Sequence, residues 1–175
     1  MNNPSGLTVA KSYALILCAL VSGCQIFQEA PSATSVIQSK SGSTINGSVN
    51  FVQSGKQVLV TGTFSGLKPN SEHGIHIHEK GDCSSPDAVS AGGHYNPNNT
   101  QHGSHQHSVH HAGDMPNIVS DSNGTASYRA TLNDFSLIGD FSIIGRSVVV
   151  HKDPDDYKTQ PAGNSGPRIG CGLIR

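Results

Sequence analysis

Short runs of alternating apolar and polar residues, separated by glycine, asparagine and serine, make up most of the sequence after residue 43. The first two runs are STINGSVNFVQ and KQVLVTGTFSG, and Ser54 and Gly55 between them are typical of a hairpin turn. Outside the N-terminal apolar run, no ten-residue stretch has the periodicity of an amphipathic helix. The pattern predicts an all-β fold, either a sandwich or a barrel.

Four later runs fit the same pattern and lie on either side of a long irregular segment. EHGIHIHEKG precedes that segment, and DSNGTASYRATL, SVVVHK and RIGCGLI follow it. Residues 81–122 between them are rich in glycine, asparagine, proline, serine and histidine. A loop of about forty residues is uncommon in a compact domain unless it is functional, so we expect this segment to carry part of a site.

Composition excludes some classes of function. The chain has 175 residues, which suffices for one domain with a buried core. Its formal net charge of -1 leaves no basic footprint for nucleic acid. Ten histidines are unusual in such a chain and indicate a role with metal ions or protons.

The N-terminal segment resembles a bacterial lipoprotein signal. Lys11 precedes the apolar run YALILCALV, which is too short to cross a bilayer as a mature helix. The run ends in VSGC, where small residues stand before Cys24. We expect residues 1–23 to be removed and Cys24 to receive a lipid that anchors the protein to a membrane of the bacterial cell envelope, facing the periplasm or the exterior. The alternative is an ordinary secretory signal with a chance cysteine.

Residues 24–42 are predicted to form a flexible tether, and residues 43–175 the domain. Serine recurs in the tether at Ser32, Ser35 and Ser39. A serine-rich segment of this kind behaves as a flexible chain between the membrane and a folded domain.

Cysteine usage predicts one disulfide bond. Cys18 is removed with the signal and Cys24 carries the lipid, so Cys83 and Cys171 remain to pair. An exported protein can keep such a bond oxidised. The alternative is a pair of free thiols.

Two histidines share one predicted strand. His76 and His78 are two residues apart in HIH, so both imidazoles project to the same side of the strand. Ile75 and Ile77 then point the opposite way, into the core. One rigid element therefore offers two nitrogen ligands to a metal ion.

Further ligand types follow along the chain. His151 ends the run VVVH and can supply a third nitrogen from a neighbouring strand, and His94 follows two glycines that let the backbone approach closely. His102, His111 and Asp114 complete a set of three imidazoles and one carboxylate with His94, which suits a closed tetrahedral zinc site. Two four-ligand sites need eight ligands, and these seven residues fill them only if one residue bridges both ions.

The segments GIHIHEKGDC, AGGHYNP, HHAGDMPN, IIGRSVVVHKDPDD and GNSGPRIGCG occur in this order between about residue 44 and the end of the chain. Together they resemble the signature segments of copper/zinc superoxide dismutase, in particular of its bacterial exported lipoprotein branch. The resemblance implies a Greek-key barrel or sandwich of about eight antiparallel strands with long metal-binding and electrostatic loops. It also implies copper and zinc as cofactors, superoxide as the substrate, and protection of the cell envelope.

The resemblance assigns roles to individual residues. It implies that His94 bridges the two ions and takes part in catalysis, that Arg168 attracts superoxide to the copper, and that Asp155 links a copper histidine to a zinc histidine. It also implies a disulfide between Cys83 and Cys171. The implied copper ligands are His76, His78, His94 and His151, and the implied zinc ligands are His94, His102, His111 and Asp114.

Some residues keep open roles. His105, His107 and His110 match nothing in the family pattern, and we interpret them as surface groups or as an accessory metal site. His73 matches a buried structural histidine, and Lys152 and Lys158 are candidates for guiding substrate. The resemblance is compatible with a homodimer. The rival functions are a lipid-anchored copper or zinc store without turnover, and a structural domain that retains only zinc.

Overall fold

The computed structural model describes Met1 and residues 29–175. The predicted lipidation site Cys24 and nearly all of the predicted signal peptide lie outside these described residues. Within them, no helix has the length and apolar character needed to cross a membrane.

The described residues form nine strands: β1 (Ser32–Ser39), β2 (Asn46–Ser54), β3 (Gln57–Ser65), β4 (Glu72–His73), β5 (Ile75–His78), β6 (Ile118–Val119), β7 (Ala126–Leu132), β8 (Ser147–His151) and β9 (Arg168–Leu173). Seven of them form one curled antiparallel sheet in the order β5-β8-β9-β1-β2-β3-β7, and β4 pairs with β6 separately. After β3 the chain crosses to β5 at the far edge of the sheet and later returns to place β7 beside β3, as expected for Greek-key connections. The all-β prediction is confirmed.

The hairpin predicted from the first two runs is present. β2 pairs with β3 over their whole length, and Gly55 in the turn has φ +59, a conformation that glycine adopts without steric cost. Val49 and Phe51 of β2 are fully buried, as are Val58 and Val60 of β3. Burying a side chain of this size contributes about 1.5–3 kcal/mol, so the period-two pattern accounts for the core of the sheet.

The tether prediction is wrong for residues 32–39. These residues form β1, which lies between β2 and β9, with Thr34 opposite Asn50 and Gln38 opposite Cys171. Ala33, Ser35 and Ile37 are buried on one face, so the segment has the alternation of a half-buried strand. The alternation is hard to recognise in the sequence because the buried position 35 is a serine. A serine can be buried where its neighbours leave no room for a larger side chain.

The run EHGIHIHEKG forms two short strands and not one. Gly74 separates β4 from β5: its amide donates to the Asp153 carbonyl at 2.9 Å, and its carbonyl accepts from the His151 amide at 2.8 Å. A Cβ at Gly74 would lie 3.1 Å from Ser165 Cβ and 3.3 Å from His76 Cε1. The chain therefore changes pairing partners at a position where loop residues pack closely against the backbone.

The predicted disulfide between Cys83 and Cys171 is confirmed, with the two Cα atoms 5.7 Å apart. It joins the long loop after β5 to β9 and closes a segment with a sequence separation of 88 residues. The chain-entropy treatment gives a cross-link of this span about 4–5 kcal/mol of stabilisation. Cys171 is fully buried and packs with Ala88, Ala91 and Val149, so the bond fixes the loop to the outer face of the sheet.

Candidate metal centre

Strand β5 supplies two histidines to one face of the sheet. Ile75 and Ile77 belong to the apolar core, so His76 and His78 project to the opposite side. All four residues are fully buried. Other parts of the chain therefore cover the histidine face and exclude solvent from it.

Two loop segments cover this face by pairing with β5. The Tyr95 amide donates to the Ile77 carbonyl at 2.8 Å, and the Ile77 amide donates to the Gly113 carbonyl at 2.9 Å. Gly113 is so close that a Cβ there would overlap the Ile77 carbonyl oxygen. Backbone pairing thus brings His94 and Asp114, the neighbours of Tyr95 and Gly113, against the two histidines of β5.

Strand β8 supplies a third histidine to the same face. Val148 and Val150 belong to the apolar core, whereas Val149 lies opposite His76 on the outer side. His151 follows two residues after Val149 and shares its face. Alternation along β8 therefore directs His151 toward the histidines of β5, as expected for a third ligand from a neighbouring strand.

The four predicted copper ligands come together in one buried cluster. Each of them offers a nitrogen, and the four nitrogens lie within 4.8 Å of one another, so the cluster could hold one metal ion. Among the described residues, none of these nitrogens has a hydrogen-bond partner, although each is buried. Buried polar atoms without partners are costly, and a cation at their centre would satisfy all of them. The nitrogens are His76 Nδ1, His78 Nε2, His94 Nε2 and His151 Nε2.

The opposite ring nitrogens of this cluster have partners that fix each ring. His78 Nδ1 donates to the Gly92 carbonyl at 3.0 Å, and His151 Nδ1 donates to the Gly166 carbonyl at 3.2 Å. A carbonyl can only accept, so both rings carry their proton on Nδ1 and leave Nε2 free as a ligand atom.

The four predicted zinc ligands form a second buried cluster whose ligand atoms also lie within 4.8 Å of one another. Asp114 Oδ1 lies 2.8 Å from His94 Nδ1 and 3.5 Å from His111 Nδ1, and Asp114 Oδ2 lies 3.0 Å from His102 Nδ1. Two ligands of a tetrahedral zinc ion are roughly 3.4 Å apart, given zinc–ligand distances of about 2.0–2.2 Å. The donor set and its spacing therefore fit a zinc ion.

His94 belongs to both clusters. Its Nε2 faces the first cluster and its Nδ1 faces Asp114 in the second. The ring centroids of His94 and His76 are 3.9 Å apart. A single buried imidazole thus lies between the two candidate ion positions and presents one nitrogen to each.

Asp155 forms a second connection between the clusters. Its Oδ2 accepts from His76 Nε2 at 2.8 Å, and its Oδ1 accepts from His102 Nε2 at 2.9 Å. The carboxylate is buried and is held by the Tyr157 amide at 2.7 Å, while Asn117 Oδ1 accepts from the Asp155 amide at 3.0 Å. One carboxylate therefore orients a histidine of each cluster.

The two clusters favour different protonation states. Burial lowers the pKa of His78 and His151 well below the ordinary histidine value and lowers the pKa of His94 to about 3. These rings are therefore neutral, which is the form that binds a metal ion. Burial also lowers the pKa of His102, but hydrogen bonds with Asp114 and Asp155 outweigh it and raise this pKa to about 9.

The carboxylates of the centre are ionised. Burial raises the pKa of Asp114, but hydrogen bonds with three histidines outweigh it and hold this pKa below the usual range. The pKa of Asp155 is lowered in the same way by His102 and His76. Asp114 and Asp155 therefore carry negative charge beside a protonated His102, and a cation that enters the second cluster displaces the proton of His102.

Arg168 lies beside the first cluster. It opens β9 opposite His151, and its Nη1 and Nη2 donate to the carbonyls of Ala88 and Gly92 at 2.8 and 2.7 Å. These two bonds fix a guanidinium that is only partly exposed. It lines two cavities of about 310 and 400 Å³, of which the first reaches His151 and the second reaches His94. A positive charge thus borders the openings that lead to the histidines.

Sequence reasoning missed several supporting residues. Asn117 positions the Asp155 backbone, and no pattern in the sequence marks it. Gly163 has φ +65, and a Cβ there would overlap Asp155 Oδ1. The segment GNSGPRIGCG, which begins at Gly163, is the signal that could have identified it. His73 is buried as predicted, with Nδ1 3.0 Å from the His151 carbonyl.

The remaining candidates are not members of either cluster. Lys152 and Lys158 are exposed. His105, His107 and His110 belong to neither cluster. His110 instead contacts Asp134, a residue that sequence reasoning did not identify.

Comparison with known proteins agrees with this geometry. The sequence pattern of copper/zinc superoxide dismutase (SODC) matches residues 45–174. Superoxide dismutase [Cu-Zn] 1 of Aquifex aeolicus (strain VF5) is 39% identical over 165 residues, which cover 91% of this chain and 96% of that protein. Superoxide dismutase [Cu-Zn] 2 of the same organism is 41% identical over 135 residues, or 74% of this chain and 78% of that protein.

Similarity extends to a viral protein and to a solved structure. Superoxide dismutase [Cu-Zn] of Paramecium bursaria Chlorella virus 1 is 41% identical over 136 residues, which cover 74% of this chain and 72% of that protein. The crystal structure of the clock protein EA4 superposes with a TM-score of 0.76 and 37% sequence identity, covering 85% of this chain and 96% of that chain.

Gly163→Ala is expected to weaken metal binding at both clusters. The new Cβ would displace the Asp155 carboxylate and so release His76 and His102 from their shared partner. Loss of such an outer partner typically lowers metal affinity by about 10- to 100-fold. The check is the affinity of the purified domain for copper and for zinc, measured by competition with chelators.

Gly139→Ala is the matched control. Gly139 also has a positive φ, +71, but a Cβ there would have nothing within 4 Å, so the variant reproduces the backbone strain without the clash. Wild-type affinity for both ions in Gly163→Ala would show that Asp155 does not couple the clusters.

Proposed function

The chain belongs to the copper/zinc superoxide dismutase family, and we propose that it dismutes superoxide at a copper ion that the imidazolate of His94 bridges to a zinc ion. Its cofactors are copper and zinc. The observation that carries the bridged arrangement is that His94 has one nitrogen in each buried cluster. A bridging imidazole loses both ring protons, which two flanking cations make feasible at neutral pH.

We assign copper to the all-imidazole cluster and zinc to the cluster with the carboxylate. Nitrogen ligands suit both oxidation states of copper, whereas three imidazoles and one carboxylate form a closed zinc site. When bound, copper supplies the one-electron redox chemistry, and zinc supplies a fixed positive charge without redox chemistry. Copper would be held by His76, His78, His94 and His151, and zinc by His94, His102, His111 and Asp114.

The residues of the chain supply the proton and the orientation for the reaction. Two superoxide ions and two protons give one dioxygen and one hydrogen peroxide. His94 Nε2 takes up a proton in the first half of the cycle, while Nδ1 stays directed at the zinc position. The same nitrogen then donates this proton to the departing peroxide, so His94 serves as a general acid. Asp155 keeps His76 and His102 in place throughout.

Arg168 attracts and orients the anion. Its guanidinium is fixed by two backbone carbonyls and lines both cavities that reach the histidines. A fixed charge at an opening raises the capture rate of an oppositely charged substrate, and salt screens this attraction beyond about 8 Å at physiological ionic strength. A metal store would not need such a charge at its opening, which favours the enzyme over that alternative.

His94→Ala is expected to reduce binding of both ions and to abolish superoxide consumption, because the His94 ring contributes a ligand nitrogen to each cluster. The check is the copper and zinc content per chain after reconstitution, together with the rate of superoxide consumption. His107→Ala is the matched control, since it removes an exposed imidazole outside both clusters. Loss of copper with zinc retained at full affinity would contradict the bridge.

Arg168→Glu is expected to lower kcat/KM by about tenfold or more and to weaken or reverse its dependence on salt, because the charge at the cavities changes sign. Lys56→Glu is the matched control, because it makes the same charge change at the β2–β3 turn, away from the cavities beside Arg168. An Arg168→Glu rate with the wild-type salt profile would remove Arg168 from substrate capture. Full loading of the wild-type protein without superoxide consumption would instead favour the metal store.

We also propose that the protein is lipid-anchored in the bacterial cell envelope and protects it from superoxide. The support is the VSGC sequence after an apolar run, together with one disulfide bond in the domain. The homodimer stays a prediction from the family resemblance.

Cys24→Ser is expected to release the protein from the membrane fraction, because serine cannot receive the thioether-linked lipid. The check is the distribution of the protein between membrane and soluble fractions of the producing cell. Cys18→Ser is the matched control, since it removes a cysteine within the apolar run and leaves VSGC intact. Persistent membrane attachment of Cys24→Ser would refute the anchor.

A further inference from the structure

An exposed apolar loop lies on the connection between β7 and β8. Ile138, Phe141 and Ile144 belong to this connection and are 61%, 45% and 45% exposed, respectively. Single apolar side chains scattered over a surface are ordinary, whereas several on one loop favour contact with another apolar surface. We call residues 136–144 the apolar loop.

Hydrogen bonds within the apolar loop hold it in one shape. The Ser136 amide donates to the Phe141 carbonyl at 3.0 Å, and the Ile143 amide donates to the Ser136 carbonyl at 2.9 Å. Gly139 lies at the tip, where an added Cβ would have nothing within 4 Å. The folded loop therefore presents Ile138 and Phe141 on either side of an open tip.

The chain enters the domain beside the apolar loop. The Gln53 amide donates to the Pro31 carbonyl at 2.8 Å, and Gln53 Oε1 accepts from the Leu137 amide at 2.8 Å. One residue thus contacts both the segment that precedes β1 and the loop. At this end of the sheet β1 and β8 begin, β7 and β9 end, and β2 turns into β3. We call it the entry end.

Little chain separates the proposed lipid from the entry end. Cys24 and Pro31 are seven residues apart, so the chain between them spans at most about 25 Å. A compact domain of the described length is roughly 35–40 Å across. A lipid on Cys24 therefore keeps the entry end near the membrane and the opposite end of the sheet out of its reach. The tether is this short because β1 already begins at Ser32.

Basic side chains accompany the apolar loop at the entry end. Lys56 in the β2–β3 turn and Arg175 after β9 are exposed, and Arg146 beside the loop is partly exposed. Anionic lipid headgroups attract such side chains. The acidic residues of the same connection are Asp134 and Asp140, which are partly and fully exposed. A carboxylate is costly in hydrocarbon, so Asp140 at the tip limits insertion to the headgroup layer.

We propose that the apolar loop inserts Ile138 and Phe141 into the headgroup region of the membrane that carries the lipid anchor. Apolar side chains of this kind enter the boundary between headgroups and acyl chains. The lipid supplies the attachment, and the loop sets the orientation of the domain on the surface. This inference rests on the lipid anchor proposed above and does not depend on the dismutase activity.

The proposed orientation holds the opening beside Arg168 away from the membrane. The six residues of β9 run from Arg168 to Leu173 at the entry end. At the usual rise per residue, Arg168 is up to about 16 Å farther from the membrane than Leu173. An anionic membrane surface repels superoxide within about 8 Å at physiological ionic strength. The charge that attracts the anion therefore acts outside this layer.

The sequence contains no tryptophan, so a single introduced indole reports only on its own surroundings. The test places Ile138→Trp in the lipidated protein, bound to vesicles of phosphatidylethanolamine and phosphatidylglycerol. Its emission is expected to shift to shorter wavelength on binding and to lose intensity when the lipid chains are brominated. Adding Phe141→Ser is expected to reduce this quenching, because the second apolar side chain of the tip is lost.

Val119→Trp is the matched control. Val119 is 64% exposed and lies on β6, which pairs with β4 at the opposite end of the sheet. Its indole is expected to keep the same emission with and without vesicles, and quenching equal to that of Ile138→Trp would overturn the proposed orientation.

Three further outcomes separate the loop from the anchor and from self-association. A vesicle-bound Ile138→Trp protein with unchanged emission overturns the proposal and leaves the anchor intact. An emission shift that appears without vesicles as the protein concentration rises assigns this surface to a second copy of the chain, and so overturns it. A wild-type protein that does not sediment with the vesicles refutes the anchor, and the orientation with it.

Discussion

The metal centre depends on the alternation of one buried four-residue strand. Ile75 and Ile77 anchor β5 in the core, and this fixes the positions of His76 and His78 on the other side of the strand. The backbone of β5 is also the platform on which the loops carrying His94 and Asp114 are aligned. Hydrophobic burial on one side therefore provides the rigidity that ligand geometry requires on the other. If all the ligands came from loops, each loop would have to be ordered without the support of a rigid strand.

The ligand positions are predictable because they follow strand periodicity and short motifs. Alternation in HIH places two imidazoles on one face, and VVVH ends in a third candidate ligand on a neighbouring strand. Seven candidate ligands for eight coordination positions require one bridging residue. The family resemblance selects His94 for that role and adds Asp155 and Arg168. The hairpin at Ser54 and Gly55 is predictable for a similar reason, since local turn chemistry determines it.

Features that arise from tertiary packing are not predictable in this way. Serine dominates β1 and makes it resemble a tether, yet its small side chains fit where β9 packs closely: a Cβ at Gly172 would lie 2.5 Å from Ser35 Oγ. The break at Gly74 depends on loop residues far along the chain. Asn117 and Asp134 act through partners 38 and 24 residues away, a relation that no local pattern records. Composition describes a segment, but its neighbours in space decide its structure.

One acceptor atom links two parts of the centre. The Gly92 carbonyl accepts from Arg168 Nη2 at 2.7 Å and from His78 Nδ1 at 3.0 Å. The loop that carries this carbonyl is tied to β9 through Cys83, which lies nine residues before it. Any shift of this loop would move the guanidinium and the imidazole together. The position of the positive charge and the orientation of the His78 ring are therefore coupled, so a substitution that displaces one of them is expected to displace the other.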